Sequence, residues 1–230
     1  MKIAQTLESL PAGGFVFDLD GTLVDSAYQH AFAWQQALQI ERLYLSLWHI
    51  HRHIGMSGAL LTEQLLRLLG CEISTDRVER LQQHHAQAYK RLAATVELLP
   101  GALELLRSLR AARIEWIIAT SGYRRTAEHD LGLLELAESA VVSRDDVQHA
   151  KPNPDVFLLA AMRLQLPPAS IFVVGDSVWD MLAARRAGMF GVGLLSGGYG
   201  AEELERAGAA RVYEDPADLL AHLHELGIRV

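Results

Sequence analysis

Two carboxylates two positions apart, Asp18 and Asp20, follow the apolar run 15–17 and precede Gly21 and Thr22. A short apolar run bounded by glycines (Gly13, Gly14 and Gly21) suits a buried parallel strand. Side chains alternate along extended chain, so Asp18 and Asp20 point to the same side at the strand's C-terminal end. Open α/β sheets bind their ligands at that end. Two carboxylates held so close repel each other unless a cation or a proton lies between them. The pair therefore implies a metal site, with one carboxylate free to act as nucleophile or acid/base.

Further groups of the same chemical kind follow. Thr120, Ser121 and Gly122 end a second apolar run, Glu115 to Ala119, and Asp176 and Ser177 end another, Ile171 to Val174, with Asp180 close behind. Lys151 stands out because the chain has 21 basic residues but only three lysines, Lys2, Lys90 and Lys151. It directly precedes Pro152, Asn153 and Pro154, a helix start. A compact ammonium suits a place that touches both a carboxylate and a phosphate oxygen. Singly, each residue has a plainer reading: a turn at Asp20-Gly21, caps at Thr120 and Ser177, helix-start acids at Asp176 and Asp180, a solvated loop lysine. Occurring together, they describe a site.

The elements that must position them alternate between strand and helix. Strands are expected at 15–18, 115–119, 140–142, 171–174 and 190–195, with an edge strand at 211–213. Helices are expected at 102–111 and 124–131, from Asn153 as N-cap, and from Ser177 to near Gly188. Such alternation means a Rossmann-like parallel α/β sheet core flanked by helices. Between residues 27 and 95 only helical periodicity is present. Helices are expected at 27–40, at 43–53, from Ser57 to Gly70, and from Thr75 or Asp76 through Leu92, a small inserted bundle. The expected organisation is a core of 1–24 and 97–230 with a four-helix unit at 25–96.

The ordered set of motifs resembles the haloacid dehalogenase-like hydrolase superfamily across nearly the whole chain. Asp-Leu-Asp-Gly-Thr at 18–22 is similar to its first motif, Ile117 to Thr120 to its second, Lys151 to its third, and Val173 to Ser177 with Asp180 to its fourth. The helical insertion resembles a C1-type cap. The resemblance implies a phosphatase acting through an aspartyl-phosphate, with Asp18 as nucleophile and Asp20 as general acid/base. Thr120 would bind the phosphoryl group and Lys151 would steady it together with Asp18. Mg²⁺ would be held by Asp18, the backbone carbonyl of Asp20, Asp176 and Asp180, the last directly or through water. Backbone N–H groups around Leu19, Ser121 and Gly122 would cradle phosphate oxygens.

Within that superfamily, Asp25, His30 and Trp34 reproduce the spacing of the β-phosphoglucomutase-like branch, and Gly55-Met56-Ser57 resembles its cap specificity loop. Gly58, where that branch usually has arginine, and Gly175 before Asp176 depart from it and favour a phosphoglycolate phosphatase-like enzyme. A sugar-phosphate mutase and a non-catalytic binding protein of the same fold are the alternatives. His30, Arg52, Gly55 and Ser57 are the candidate substrate residues of the cap. His49 and His53 have the spacing of a metal pair but read as a solvated helix end, and His84-His85 reads as surface.

Composition narrows the partners. Half of the 230 residues are hydrophobic, 21% are charged and the net charge is −7, an ordinary soluble balance that argues against a nucleic-acid partner. An anionic substrate then needs a local cationic focus. The single cysteine, Cys71, allows no internal disulfide, and residues 1–14 lack the apolar stretch of a signal peptide. The expectation is a cytoplasmic protein with no membrane contact, monomeric or weakly dimeric, acting on a small phosphorylated metabolite.

Overall fold

The computed structural model describes residues 13–134 and 140–229; the leader-free reading of residues 1–12 falls outside them. Six parallel strands form one sheet in the order β3-β2-β1-β4-β5-β6. They are β1 (Gly14–Phe17), β2 (Trp116–Ala119), β3 (Val141–Val142), β4 (Ile171–Gly175), β5 (Phe190–Leu194) and β6 (Ala209–Tyr213). Val16 of the central strand β1 aligns with Ile117 on one side and Val173 on the other. Alternation sends Phe15, Phe17, Ile118 and Val174 into one apolar layer and Val16, Ile117, Ala119 and Val173 into the other. Both faces are covered by helices, so in the central strands β1, β2 and β4 a polar residue survives only where the strand ends. The strands that end in Asp18, Thr120 and Asp176 are neighbours, and these residues meet at one edge.

Four helices follow β1 as a bundle: α1 (Ala27–Ile40), α2 (Leu47–His51), α3 (Gly58–Leu68) and α4 (Thr75–Leu92). They have a core of their own, built on Trp34, Leu38, Ile50, Leu61, Leu65 and Leu81. The chain enters and leaves this bundle through paired strands of backbone. Asp25 N–H donates to Glu97 O (2.9 Å), and Leu99 N–H donates to Leu23 O (3.0 Å). The remaining helices are α5 (Ala102–Ala111), α6 (Arg124–Leu133), α7 (Asp155–Leu164), α8 (Val178–Ala187), α9 (Ala201–Ala207) and α10 (Pro216–Ala221). No helix among the described residues is long and apolar enough to cross a membrane.

Several boundaries shift by a residue or two, among them β6, which starts at Ala209 rather than Arg211, and α6, which runs to Leu133 rather than Leu131. The helix expected at 43–53 is only Leu47–His51. Arg42 takes a left-handed turn (φ 56°) that ends α1, and the Arg52 carbonyl is taken by the Trp179 indole and Tyr199 hydroxyl of the core rather than by a further helical turn. The helix after Lys151 starts one residue late, with Pro154 rather than Asn153 at the N-cap.

One polar bond crosses between bundle and sheet domain deep inside. The Tyr89 hydroxyl of α4 donates to the buried carboxyl of Asp130 on α6. Burial, then repulsion from Asp20, pushes the Asp130 carboxyl up to about 6. A carboxyl raised on folding stabilises fully below its unfolded value near 4, and that contribution is lost as pH rises through about 6. Asp130→Asn keeps an oxygen for Tyr89 and removes the titration. Thermal melts should show the variant gaining on the wild type between pH 4.5 and 7.5. An identical offset at both pH values would contradict a buried titrating carboxyl at this position.

Candidate active site

The turn after β1 makes the first part of the site. Gly21 has φ 76°, a left-handed conformation in which a side chain is strained, and an added Cβ would lie 2.6 Å from Asp176 Oδ2. Thr22 Oγ1 donates to Asp176 Oδ1 (3.0 Å), so the turn fixes the carboxylate of a strand 154 residues further on. On the other side Gly197 packs so closely that a Cβ would sit 1.7 Å from Asp176 Oδ2. Only glycine allows that approach.

Lys151 is fully buried and ion-paired to Asp18 and, at 2.8 Å, to Asp180. Asp180 is held in turn by α8's own N-terminus, its Oδ2 accepting from the Ser177 N–H (3.1 Å) and Oγ (2.5 Å). Asp18, Asp176 and Asp180 each offer an oxygen within 4.8 Å of the others. Burial first, then Asp180 and Asp20, push the Asp18 carboxyl up to about 7 despite Lys151. Burial, Asp180 and Asp18 push Asp176 well above the carboxylate range. Burial alone would lower Lys151, but Asp18 and Asp180 outweigh it and raise it. Three buried carboxylates with one ammonium carry excess negative charge. A hard divalent cation fits this donor set.

Asp20 has a different environment. Its Oδ1 accepts from Ser26 Oγ (2.7 Å) and faces His30 Nε2 at 3.1 Å. Burial opposes the shift, but His30, Ser26 and Lys151 together hold the Asp20 carboxyl below its usual range. His30 Nδ1 lies 3.1 Å from His85 Nε2, and burial keeps His85 neutral. A carboxylate only accepts, so His30 presents Nε2–H to Asp20. His30 Nδ1 and His85 Nε2 share the second hydrogen bond, so the two rings are held as a pair behind Asp20. His30 also stacks on Tyr89 (3.8 Å between ring centres) and His85 on Trp34 (4.2 Å).

A cavity of about 270 Å³ separates the sheet edge from the bundle. Its floor includes Asp18, Asp20, Thr120, Ser121 and Gly122, and its upper wall includes His30 and Gly55. Thr120 Oγ1 accepts from the Gly122 N–H (3.0 Å), which leaves its hydroxyl proton free to donate. The buried Ser121 Oγ has no partner among the described residues. Leu19 N–H and Ser121 N–H find no backbone acceptor there either. These are free donors at the ends of neighbouring strands, the kind of group an anion needs.

Of the residues singled out from sequence, Arg52 and Ser57 do not line the cavity. Arg52 pairs with Glu203 (3.2 Å to Oε2) and lies over the Tyr199 ring, while the Ser57 N–H donates to the carbonyl of Lys151 (3.2 Å). Both tie the bundle to the sheet domain. Leu19 is buried beneath the floor and offers only backbone. His49 and His53 do not form a ligand pair, since His53 Nδ1 donates to the His49 carbonyl (2.7 Å). His85, read from sequence as surface, is buried. Its spacing from Val78, Leu81 and Tyr89 puts it on the inner stripe of α4, a signal the neighbouring His84 obscured.

Lys151→Met should leave Asp18 and Asp180 without a counter-charge. Breaking a buried pair by removing one partner costs about 3–5 kcal/mol. The loss should be largest near neutral pH and shrink in acid, where the carboxyls take up protons. Urea unfolding at pH 7.5 and 5.0 measures the difference. A loss independent of pH would mean that the lysine stabilises by packing alone.

Comparison with known proteins gives the same assignment from independent data. The sequence model described as haloacid dehalogenase-like hydrolase matches residues 13–188. The chain is 31% identical to a phosphoglycolate phosphatase of Escherichia coli (strain K12), covering 91% of this chain and 92% of that one. It is equally 31% identical to a β-phosphoglucomutase of Bacillus subtilis (strain 168), covering 91% and 93%. A crystal structure of a hydrolase from Pseudomonas syringae superposes with a TM-score of 0.90 at 53% identity, covering 93% of this chain and 98% of that one. With its strand-end carboxylates and buried lysine, the chain belongs to the haloacid dehalogenase-like hydrolases.

Proposed function

We propose that this protein is a Mg²⁺-dependent phosphatase that hydrolyses a small phosphate monoester through transfer of the phosphoryl group to Asp18. The observation that carries this reading is the position of Asp18. It faces the cavity, is pinned by Lys151 from below, and lies beside an Asp20 held by His30. The named activities of the phosphatase and mutase relatives, both transfers at phosphate esters, support it.

An Asp18 oxygen attacks phosphorus while the bond from phosphorus to the ester oxygen breaks. Asp20 gives its proton to the departing oxygen. The Asp20 carboxylate then takes a proton from water. That water's oxygen attacks phosphorus, the bond to Asp18 breaks, and inorganic phosphate leaves. His30 and Ser26 favour the ionised Asp20 that the second step needs. An incoming phosphate dianion adds negative charge beside Asp20 and raises its proton affinity for the first. Thr120, Ser121 and backbone N–H groups orient the phosphoryl oxygens, and Lys151 keeps Asp18 aimed. Asp18 and Asp176, with the Asp20 carbonyl, would hold Mg²⁺, which when bound offsets the negative charge that nucleophile and phosphate bring together. Asp180, engaged by Ser177 and Lys151, would support that site indirectly.

p-Nitrophenyl phosphate hydrolysis should vanish in EDTA and return with Mg²⁺, and Asp18→Asn should neither turn over nor form a phosphoenzyme. Asp20→Asn should lose about 10²- to 10⁴-fold with poor leaving groups and less with p-nitrophenol. Acid-quenched enzyme examined by mass spectrometry should carry the phosphoryl mass on the Asp18 peptide; finding it on Asp20 or His30 would overturn the mechanism. Release of inorganic phosphate from hexose 1-phosphate, rather than its conversion to a phosphate isomer, separates this reading from a mutase.

A further inference from the structure

We propose that the leaving group is an uncharged polyol, a sugar or cyclitol, gripped by Glu79, Gln82 and Gln83 of α4. This rests on the phosphatase reading and extends it to the half of the cavity that the phosphate does not use. The phosphate end is set by Asp18 and residues 120–122, so the leaving group points at the bundle. There the polar wall is α4, not the loop of residues 52–58 and not the polar face of α1. Spacings of three and four place Glu79, Gln82 and Gln83 on one helix face, and all three line the cavity. Their side chains make no hydrogen bond or ion pair among the described residues. Arg80, next along the helix, is drawn to Glu41 (3.0 Å) and does not neutralise Glu79. Across from them Gly58 also lines the cavity, and a Cβ there would lie 3.7 Å from Gln82 Oε1. With no side chain at that position, the amide stays open to the space.

The wall contributed by the bundle contains no lysine or arginine. The one arginine on the lining, Arg125, is exposed and belongs to α6 on the sheet-domain side. A leaving group with its own carboxylate would meet Glu79 and find no cation on the bundle. Hydroxyls both donate and accept, and so satisfy carboxamides and a carboxylate alike. Trp34, Met56 and Leu61, on the same side, give an apolar surface for the C–H face of a ring.

The test compares kcat/KM for glucose 6-phosphate, sorbitol 6-phosphate and myo-inositol 1-phosphate with that for phosphoglycolate, using p-nitrophenyl phosphate as reference. At least one polyol phosphate should exceed phosphoglycolate by about tenfold or more, the value of one well-placed hydrogen bond. Gln82→Ala and Gln83→Ala should each lower the ratio of polyol phosphate to p-nitrophenyl phosphate by about tenfold. Glu79→Arg, at an exposed position, should shift preference toward phosphoglycolate. Thermal melts establish that each variant is folded. No hydrolysis of p-nitrophenyl phosphate would sink the phosphatase reading itself. Active enzyme that prefers phosphoglycolate, with the preference lost in Arg125→Ala, would sink the polyol inference and leave that reading standing. Glutamine variants that lower all substrates equally would also overturn it.

Discussion

Three carboxylates and one ammonium share the space beneath the cavity, with oxygens of Asp18, Asp176 and Asp180 within 4.8 Å of one another and Lys151 ion-paired to two of them. All four side chains are buried, so the repulsion among the carboxylates is poorly screened. The rest of the site is arranged to hold them there. α8 begins at Ser177 and ties down Asp180, Thr22 holds Asp176, and Gly21 and Gly197 close over it. A group of like charges packed so tightly is stable only with a proton or a cation among them. The same shortage of positive charge makes the place attractive to a metal and then to a phosphate.

Asp20 shows how environment divides labour between two carboxylates of one short motif. Asp18 is pushed up by burial to about 7, whereas Asp20 is held low by His30 and Ser26. Both partners of Asp20 lie at or near the start of α1, the helix that leads into the bundle. His85 and Tyr89 of α4 then support His30 from behind. The protonation of Asp20 is therefore a property of how the bundle sits on the sheet, as well as of the sheet itself.

Much of this was legible in the sequence because the relevant physics is local. An apolar run must be buried, and a carboxylate directly after it marks the strand's end, so Asp18, Thr120 and Asp176 could be placed at one edge. Helices α1 and α5 have their expected limits, Ala27–Ile40 and Ala102–Ala111. What sequence could not place was contact between distant segments. Arg52 and Ser57 lie in a loop resembling a specificity loop, yet they meet Glu203 and the Lys151 carbonyl. The short α2 ends where core side chains compete for the Arg52 carbonyl. His85 was misread because histidine is equally at home in water and in an aromatic stack, and only the Trp34, His30 and Tyr89 rings decide between them.

The central place of β1 has a consequence for how the molecule comes to exist. This strand is the first the chain makes among the described residues, yet its neighbours are Trp116–Ala119 and Ile171–Gly175. During synthesis Phe15, Val16 and Phe17 emerge with both backbone edges open and wait for more than 150 residues to complete their pairing. The helices in between draw on local contacts and fold as they appear. The nascent chain thus carries Asp18 early, on an apolar strand with unpaired edges. Lys151, Asp176 and Asp180 follow only after the bundle, β2 and β3. A chain that stops between the bundle and β2 holds Phe15, Val16 and Phe17 with neither edge partner made.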